Sequence, residues 1–259
     1  MITENFLLNK LNNGKTVIGT WIILPSVSNI DVISSSGLDF IIIDREHGPI
    51  SFETAQEMSI AAVSRGVSPI MRVGDIERAY IQNALDIGVH GLQVPNIDSY
   101  SQAKQVITYA KYPPIGDRGF SPFTRAGDYS KNNSKLLLES ANQNVLTILN
   151  IEGEKSIANF DEITNVESVD VYFIGLFDLS KSLGLPGEVN HPKVLKKLEE
   201  VVTKAHSKGK HVGTIATDIE SMKRFVNMGL SYIVYLVDCE ILKSSYSGVV
   251  DSFRAINNE

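Results

Sequence analysis

The chain has 259 residues with 43% hydrophobic and 21% charged side chains, a balance that suits a folded globule and argues against disorder. Lys and Arg number 24 against 30 Asp and Glu, so the net charge of −6 speaks against a protein that coats nucleic acid. The only cysteine, Cys239, excludes an intrachain disulfide or a cysteine-based zinc site, and no apolar run approaches a membrane span, so the expected setting is the reducing cytoplasm without nucleic-acid or membrane partners.

In chain order, residues 1–14 are largely polar and carry no apolar core of the kind a secretory leader needs. Eight Ile- and Val-rich runs then read as strands: residues 17–24, 38–44, 69–73, 91–95, 145–152, 169–175, 211–216 and 232–237. They are near-continuous apolar runs, as expected of parallel strands covered on both faces. Helices alternate with them. Ser99 and Gln102 read as a capping box, and Thr217 and Glu220 read as another. Asn190-His191-Pro192 opens a further helix. Gly66, Gly88, Gly209 and Gly229 each follow a helix and precede a strand, where a left-handed residue ends the helix. The long irregular stretch, residues 112–135, reads as a lid, a subunit contact or a disordered insert.

Eight alternating units in this length predict a single-domain TIM (β/α)8 barrel over residues 1–259. An open dinucleotide-binding sheet should carry G-x-G-x-x-G in its first turn, and none is present. In a barrel the chemistry lies at the carboxyl ends of the strands. There the second strand runs into Asp44-Arg45-Glu46-His47, the third ends in Arg72, the fifth in Glu152 with Asn150 on the same side, and the sixth leads to Asp178. Each has a plainer reading. Asp44 and Glu46 suit a helix start, Arg72 suits a rim ion pair, and Asp178 suits an N-cap. His90, His191, His206 and His211 read as structural or solvated. The agreement of four strand ends favours a site.

Two carboxylates with water and substrate oxygens make a Mg²⁺ or Mn²⁺ site. Such an ion polarises the ketone of a chelating 2-oxo acid as a Lewis acid. A nearby histidine moves the α-proton as general base, and Arg72 holds the developing enolate. No lysine falls in a proposed strand, which argues against Schiff-base chemistry. The turns after the last two strands lack glycine, which argues against a sugar phosphate.

The segments IIIDREHGP, PIMRV, YPPIGDRG, LNIEG and FIGLFDLS occur in this order and together resemble the HpcH/HpaI aldolase family, metal-dependent class II aldolases of the pyruvate/phosphoenolpyruvate barrel superfamily. The resemblance runs from about residue 19 to about residue 238. It implies that His47 is the acid/base residue and Asp44 its structural neighbour. Arg72 is implied to contact the pyruvate keto oxygen, and Glu152 and Asp178 to be the ligands of Mg²⁺ or Mn²⁺, with Co²⁺ a third candidate. Backbone amides near Phe177 and Asp178 are implied to cradle the carboxylate, and Asp86 to reach a neighbouring subunit's site. A homo-oligomer is implied, a hexamer with its last helix packed on a neighbour. Asn150 stands where the family's Q-I-E-T has glutamine, Phe177 where a small residue is usual, and Arg45 where a small or apolar one is common, adding positive charge near the mouth. These changes bear on the substrate contacts of Asn150 and Phe177.

The expected reaction is cleavage of a 4-hydroxy-2-oxo acid to pyruvate and an aldehyde, or the reverse, through a metal-stabilised pyruvate enolate. One alternative keeps the barrel but condenses oxaloacetate with an acyl thioester in the manner of a citrate synthase, without requiring a metal. Another is a binding barrel without turnover.

Overall fold

A computed structural model of the protein describes residues 5–257. Parallel strands β1 (Val17–Ile22), β2 (Phe40–Asp44), β3 (Ser68–Arg72), β4 (Gly91–Val94), β5 (Leu146–Ile151), β6 (Val171–Ile174), β7 (His211–Ala216) and β8 (Tyr232–Val237) close into a barrel in sequence order. The described helices are α1 (Phe6–Asn12), α2 (Val27–Ser34), α3 (Phe52–Ser64), α4 (Arg78–Asp86), α5 (Tyr100–Ala110) and α6 (Ser134–Asn144). They continue with α7 (Glu154–Ala158), α8 (Phe160–Ile163), α9 (Leu176–Ser182), α10 (Pro192–Ser207), α11 (Ile219–Asn227) and α12 (Asp238–Asn257). The TIM barrel expected from the strand runs is therefore the observed fold. The domain expected over residues 1–259 has its first four and last two residues outside the described region.

Two apolar clusters hold the barrel. One lies between the strands and the outer helices. The other fills the barrel, where the Phe40 ring stacks on Tyr232 at 4.2 Å and Trp21 meets Phe173 edge-on at 5.3 Å. Polar though it reads, the amino-terminal stretch contains α1, whose Leu7, Leu8 and Leu11 plug the bottom of this cluster. Each buried leucine contributes roughly 1.5–3 kcal/mol relative to exposure.

Local signals mostly hold. Gly66, Gly88, Gly209 and Gly229 have φ of +75°, +79°, +66° and +96°, as their helix-end positions require. Ser99 caps α5, and His191 caps α10 through its ring nitrogen with Pro192 at the first helical position. The cap of α11 needs correction. It is Asp218, not Thr217: the Asp218 carboxylate accepts the Ser221 N–H at 2.7 Å, and Ser221 Oγ accepts the Asp218 N–H at 3.2 Å. An ionised carboxylate one residue on is the stronger acceptor for the orphan amides of the first turn.

The segment 111–133 lies at the amino end of the barrel. Asp117 N–H donates to the Thr108 carbonyl, Ala126 N–H to that of Asp86, and Tyr112 N–H to the Asn142 side chain, all at the carboxyl ends of helices, of which α4 and α6 lead into strand starts. It therefore does not cover the carboxyl-end rim of its own chain, because parallel strands place those ends on opposite faces.

Candidate active site

Asp44 and Arg72 are register partners at the ends of β2 and β3. Arg72 donates from Nε to Asp44 Oδ1 at 2.9 Å and from Nη2 to Oδ2 at 2.6 Å, a bidentate clamp between buried groups. Asp44 Oδ1 also accepts the N–H groups of Glu46 at 2.9 Å and His47 at 3.3 Å, so one carboxylate fixes both the arginine and the turn that carries the histidine. Glu46 Oε2 lies 2.9 Å from Arg72 Nη1. The guanidinium also sits 4.6 Å from the Trp21 ring centroid. Burial pushes the Glu46 carboxyl above its usual range, while Arg72 draws it back down.

Glu152 follows β5. Its Oε1 accepts from Asn150 Nδ2 at 2.8 Å and its Oε2 from Asn96 N–H at 3.0 Å. Gln93 Nε2 donates to Asn150 Oδ1 at 2.8 Å, which fixes the Asn150 amide so that its NH₂ faces Glu152. Gly175 is required here, since a Cβ on it would meet Glu152 Cγ at 2.7 Å. Burial raises the Glu152 carboxyl, and the neighbouring Asp178 raises it further against the hydrogen bonds from Asn150 and Asn96. Asp178 lies in the first turn of α9, whose N-cap is Gly175, so the N-cap reading for Asp178 is set aside. No three His, Cys, Asp or Glu side chains among the described residues form a protein-only metal cage. The half-buried Glu152 and the exposed Asp178 beside it nevertheless form a hard-oxygen donor set suited to a hydrated Mg²⁺ or Mn²⁺.

One cavity of about 230 Å³ is lined by the charged Asp44, His47, Arg72, Glu152 and Asp178 and by the apolar Trp21, Ile23, Phe173, Leu176, Ile215 and Val237. That volume is below the roughly 300–1,000 Å³ of drug-sized pockets and suits small acids. His47 is exposed at the mouth, and Phe177 lines the cavity while remaining 49% exposed. Asn150 is fully buried behind Glu152 with both ends of its amide engaged, and does not line the cavity. Asp86 lies at the end of α4, paired with Arg118 Nη2 at 2.7 Å, away from this chain's cavity. Arg45, expected to add charge at the mouth, turns aside. Its Nε donates to the Ile50 carbonyl at 2.7 Å and its guanidinium lies 3.5 Å from the Phe52 ring centroid.

Sequence reasoning overlooked Trp21, Gln93 and Asp238 as parts of this rim. A lone amide in the apolar run GLQV was the signal for Gln93. Asp238 staples the barrel closure, accepting from Ile23 N–H at 3.1 Å, Leu24 N–H at 3.2 Å and Asn29 Nδ2 at 2.9 Å. No local pattern announces those long-range bonds.

Residues 18–242 match the family model described as HpcH/HpaI aldolase/citrate lyase. A pyruvate aldolase of Rhizobium etli is 32% identical over 92% of this chain and 93% of its own length. Among solved structures, an HpcH/HpaI aldolase from Desulfitobacterium hafniense DCB-2 superposes with a TM-score of 0.92 at 30% identity, covering 96% of this chain and 97% of that one. The citrate synthase SbnG superposes with a TM-score of 0.88 at 27% identity, covering 98% and 99%.

Proposed function

This chain belongs to the HpcH/HpaI aldolase/citrate lyase family and is an aldolase, a carbon–carbon lyase, and from that premise we propose that it splits a 4-hydroxy-2-oxo acid into pyruvate and an aldehyde or joins the two. The observation that carries this reading is the Arg72 clamp facing the same cavity as His47, Glu152 and Asp178. Two of the guanidinium nitrogens are held by Asp44, so the arginine is preorganised and reorganises little when charge develops on the keto oxygen. His47, positioned by its backbone bond to Asp44, takes the proton from C3 of pyruvate and returns it in the cleavage direction. Glu152 and Asp178 would hold Mg²⁺, Mn²⁺ or Co²⁺, which when bound supplies Lewis acidity to the 2-oxo acid. The N–H groups of the first turn of α9, at Phe177 and Asp178, have no intrahelical partner and suit the substrate carboxylate. Asp86 is kept as a contributor to a neighbouring subunit's site.

Association of copies is part of the proposal. On α12, Leu242, Tyr246, Val249, Phe253 and Ile256 form a stripe that is 43–79% exposed, a face suited to packing on another copy, as in a hexamer. Among the described residues no helix is long and apolar enough to cross a membrane, and a cytoplasmic setting is retained as a proposal.

The test is exchange of the pyruvate methyl protons in D₂O, followed by proton NMR with Mg²⁺ or Mn²⁺ and with a chelator. Metal-dependent exchange is expected. Its absence in folded protein overturns the aldolase reading. The likeness to citrate synthase SbnG, with Phe177 beside the carboxylates, favours a second reading: condensation of oxaloacetate with an acyl thioester. That reading predicts dependence on coenzyme A thioesters and tolerance of chelator.

A further inference from the structure

The two halves of the cavity differ in chemistry, and the difference follows barrel order. The charged side chains come from the ends of β2 and β3 and from the turns after β2, β5 and β6, and β6 with its turn also brings Phe173, Leu176 and Phe177 to the wall. The contiguous half β7–β8–β1 contributes Ile215, Val237, Trp21 and Ile23. The polar groups near this half are already engaged. Asp238 is taken by the Ile23 and Leu24 amides and by Asn29, and Asp218 caps α11. Arg45, the other cation near the mouth, bonds to the Ile50 carbonyl and lies on Phe52.

The 2-oxo acid of the proposed reaction takes the charged half. We propose that the other half receives a short, uncharged alkyl aldehyde, with Phe177 setting the chain length admitted. This inference rests on the aldolase reading. In the condensing direction, the electron pair of the enolate forms the bond from C3 of pyruvate to the aldehyde carbon. The aldehyde C=O π pair moves to its oxygen, which takes the proton that His47 removed from C3. Atoms balance in the 4-hydroxy-2-oxo acid, and no other reactant is needed. An acceptor hydroxyl or carboxylate would leave water in this half without a partner to replace it. An alkyl carbon gains roughly fourfold in binding per methylene buried. Among the described lining residues the cation is Arg72, already held by Asp44 and Glu46, so this wall offers a phosphorylated acceptor no further cation.

The experiment measures kcat/KM for condensation with pyruvate in two matched pairs: propanal against glycolaldehyde, and pentanal against 4-oxobutanoate. Pyruvate methyl exchange is run in parallel, with no aldehyde present. The alkyl member should lead each pair by about tenfold or more, within the ~10²-fold that an apolar pocket achieves against an added hydroxyl. Phe177 is half-exposed, so Phe177→Ala should keep the fold and move the preferred aldehyde toward longer chains. If exchange persists but the hydroxylated or carboxylated member matches or beats its alkyl partner, this inference falls and the aldolase reading stands. An unchanged length preference in Phe177→Ala overturns the role of that side chain. Loss of exchange itself removes both.

Discussion

The two ends of the barrel both bury charge, and they use it differently. At the amino end Lys111, Asp170 and His90 are each tied to the backbone or side chain of an adjoining segment. Lys111 Nζ donates to the carbonyls of Asn142 at 3.1 Å and Val145 at 2.6 Å. Asp170 accepts from Thr147 N–H at 2.7 Å, and His90 Nδ1 pairs with Ser68 Oγ at 3.1 Å. At the carboxyl end Asp44, Arg72 and Glu46 bind one another, and Arg72 and Glu152 still line a cavity. Buried charge therefore does not mark a site. What marks it is that the charges face open space after satisfying one another.

Substitutions should separate the two ends. Arg72→Ala should lower pyruvate exchange by on the order of 10³-fold or more. It should also cost about 3–5 kcal/mol in stability, because Asp44 is left buried and unpaired. Steady-state NMR exchange and urea unfolding read the two effects separately. His47→Ala should cost on the order of 10³-fold in exchange. Being exposed, His47 should leave the urea midpoint nearly unchanged. A large stability loss there would erase the contrast between the ends.

The amino end should respond in stability alone. Burial lowers His90 from 6.5 to about 4, with Arg125 adding to the effect. The unfolded chain therefore binds the proton first. The contribution is complete above pH 6.5 and is lost as pH falls toward 4, amounting to about 3 kcal/mol. His90→Asn should flatten the fall in urea stability across that window, and an unchanged profile would remove His90 as its source. Lys111→Met should cost about 1–3 kcal/mol through unsatisfied carbonyls. Its kcat should stay within about twofold of the parent if the amino end is purely structural, and a larger fall would couple the two ends.

Much of this was readable beforehand, for identifiable reasons. The barrel strands are mostly apolar runs, and helix ends such as those at Gly66, Gly88, Ser99, Gly209 and Gly229 carry their own glycine or cap, so the order of the elements is written locally. The polar strand ends that line the cavity, His47, Arg72, Glu152 and Asp178, also stand out locally, because each interrupts or follows an apolar run. What was missed depends on partners far away in sequence. Residues 1–14 read as largely polar taken together, yet their Leu7, Leu8 and Leu11 meet the barrel floor. Asn150 reads as a rim amide until Gln93, 57 residues away, turns it onto Glu152. Arg45 reads as a charge at the mouth until Ile50 and Phe52 draw it aside.

The sequence alone thus carried the barrel, the polar strand ends and the class of chemistry, since these follow from period, punctuation and residue type along one stretch of chain. Which side chains hold one another, which face the cavity, and the division of that cavity into charged and apolar halves emerged only with closure. Barrel closure brings β8 beside β1 and sets β5 across from them, and no window of neighbouring residues contains that distance.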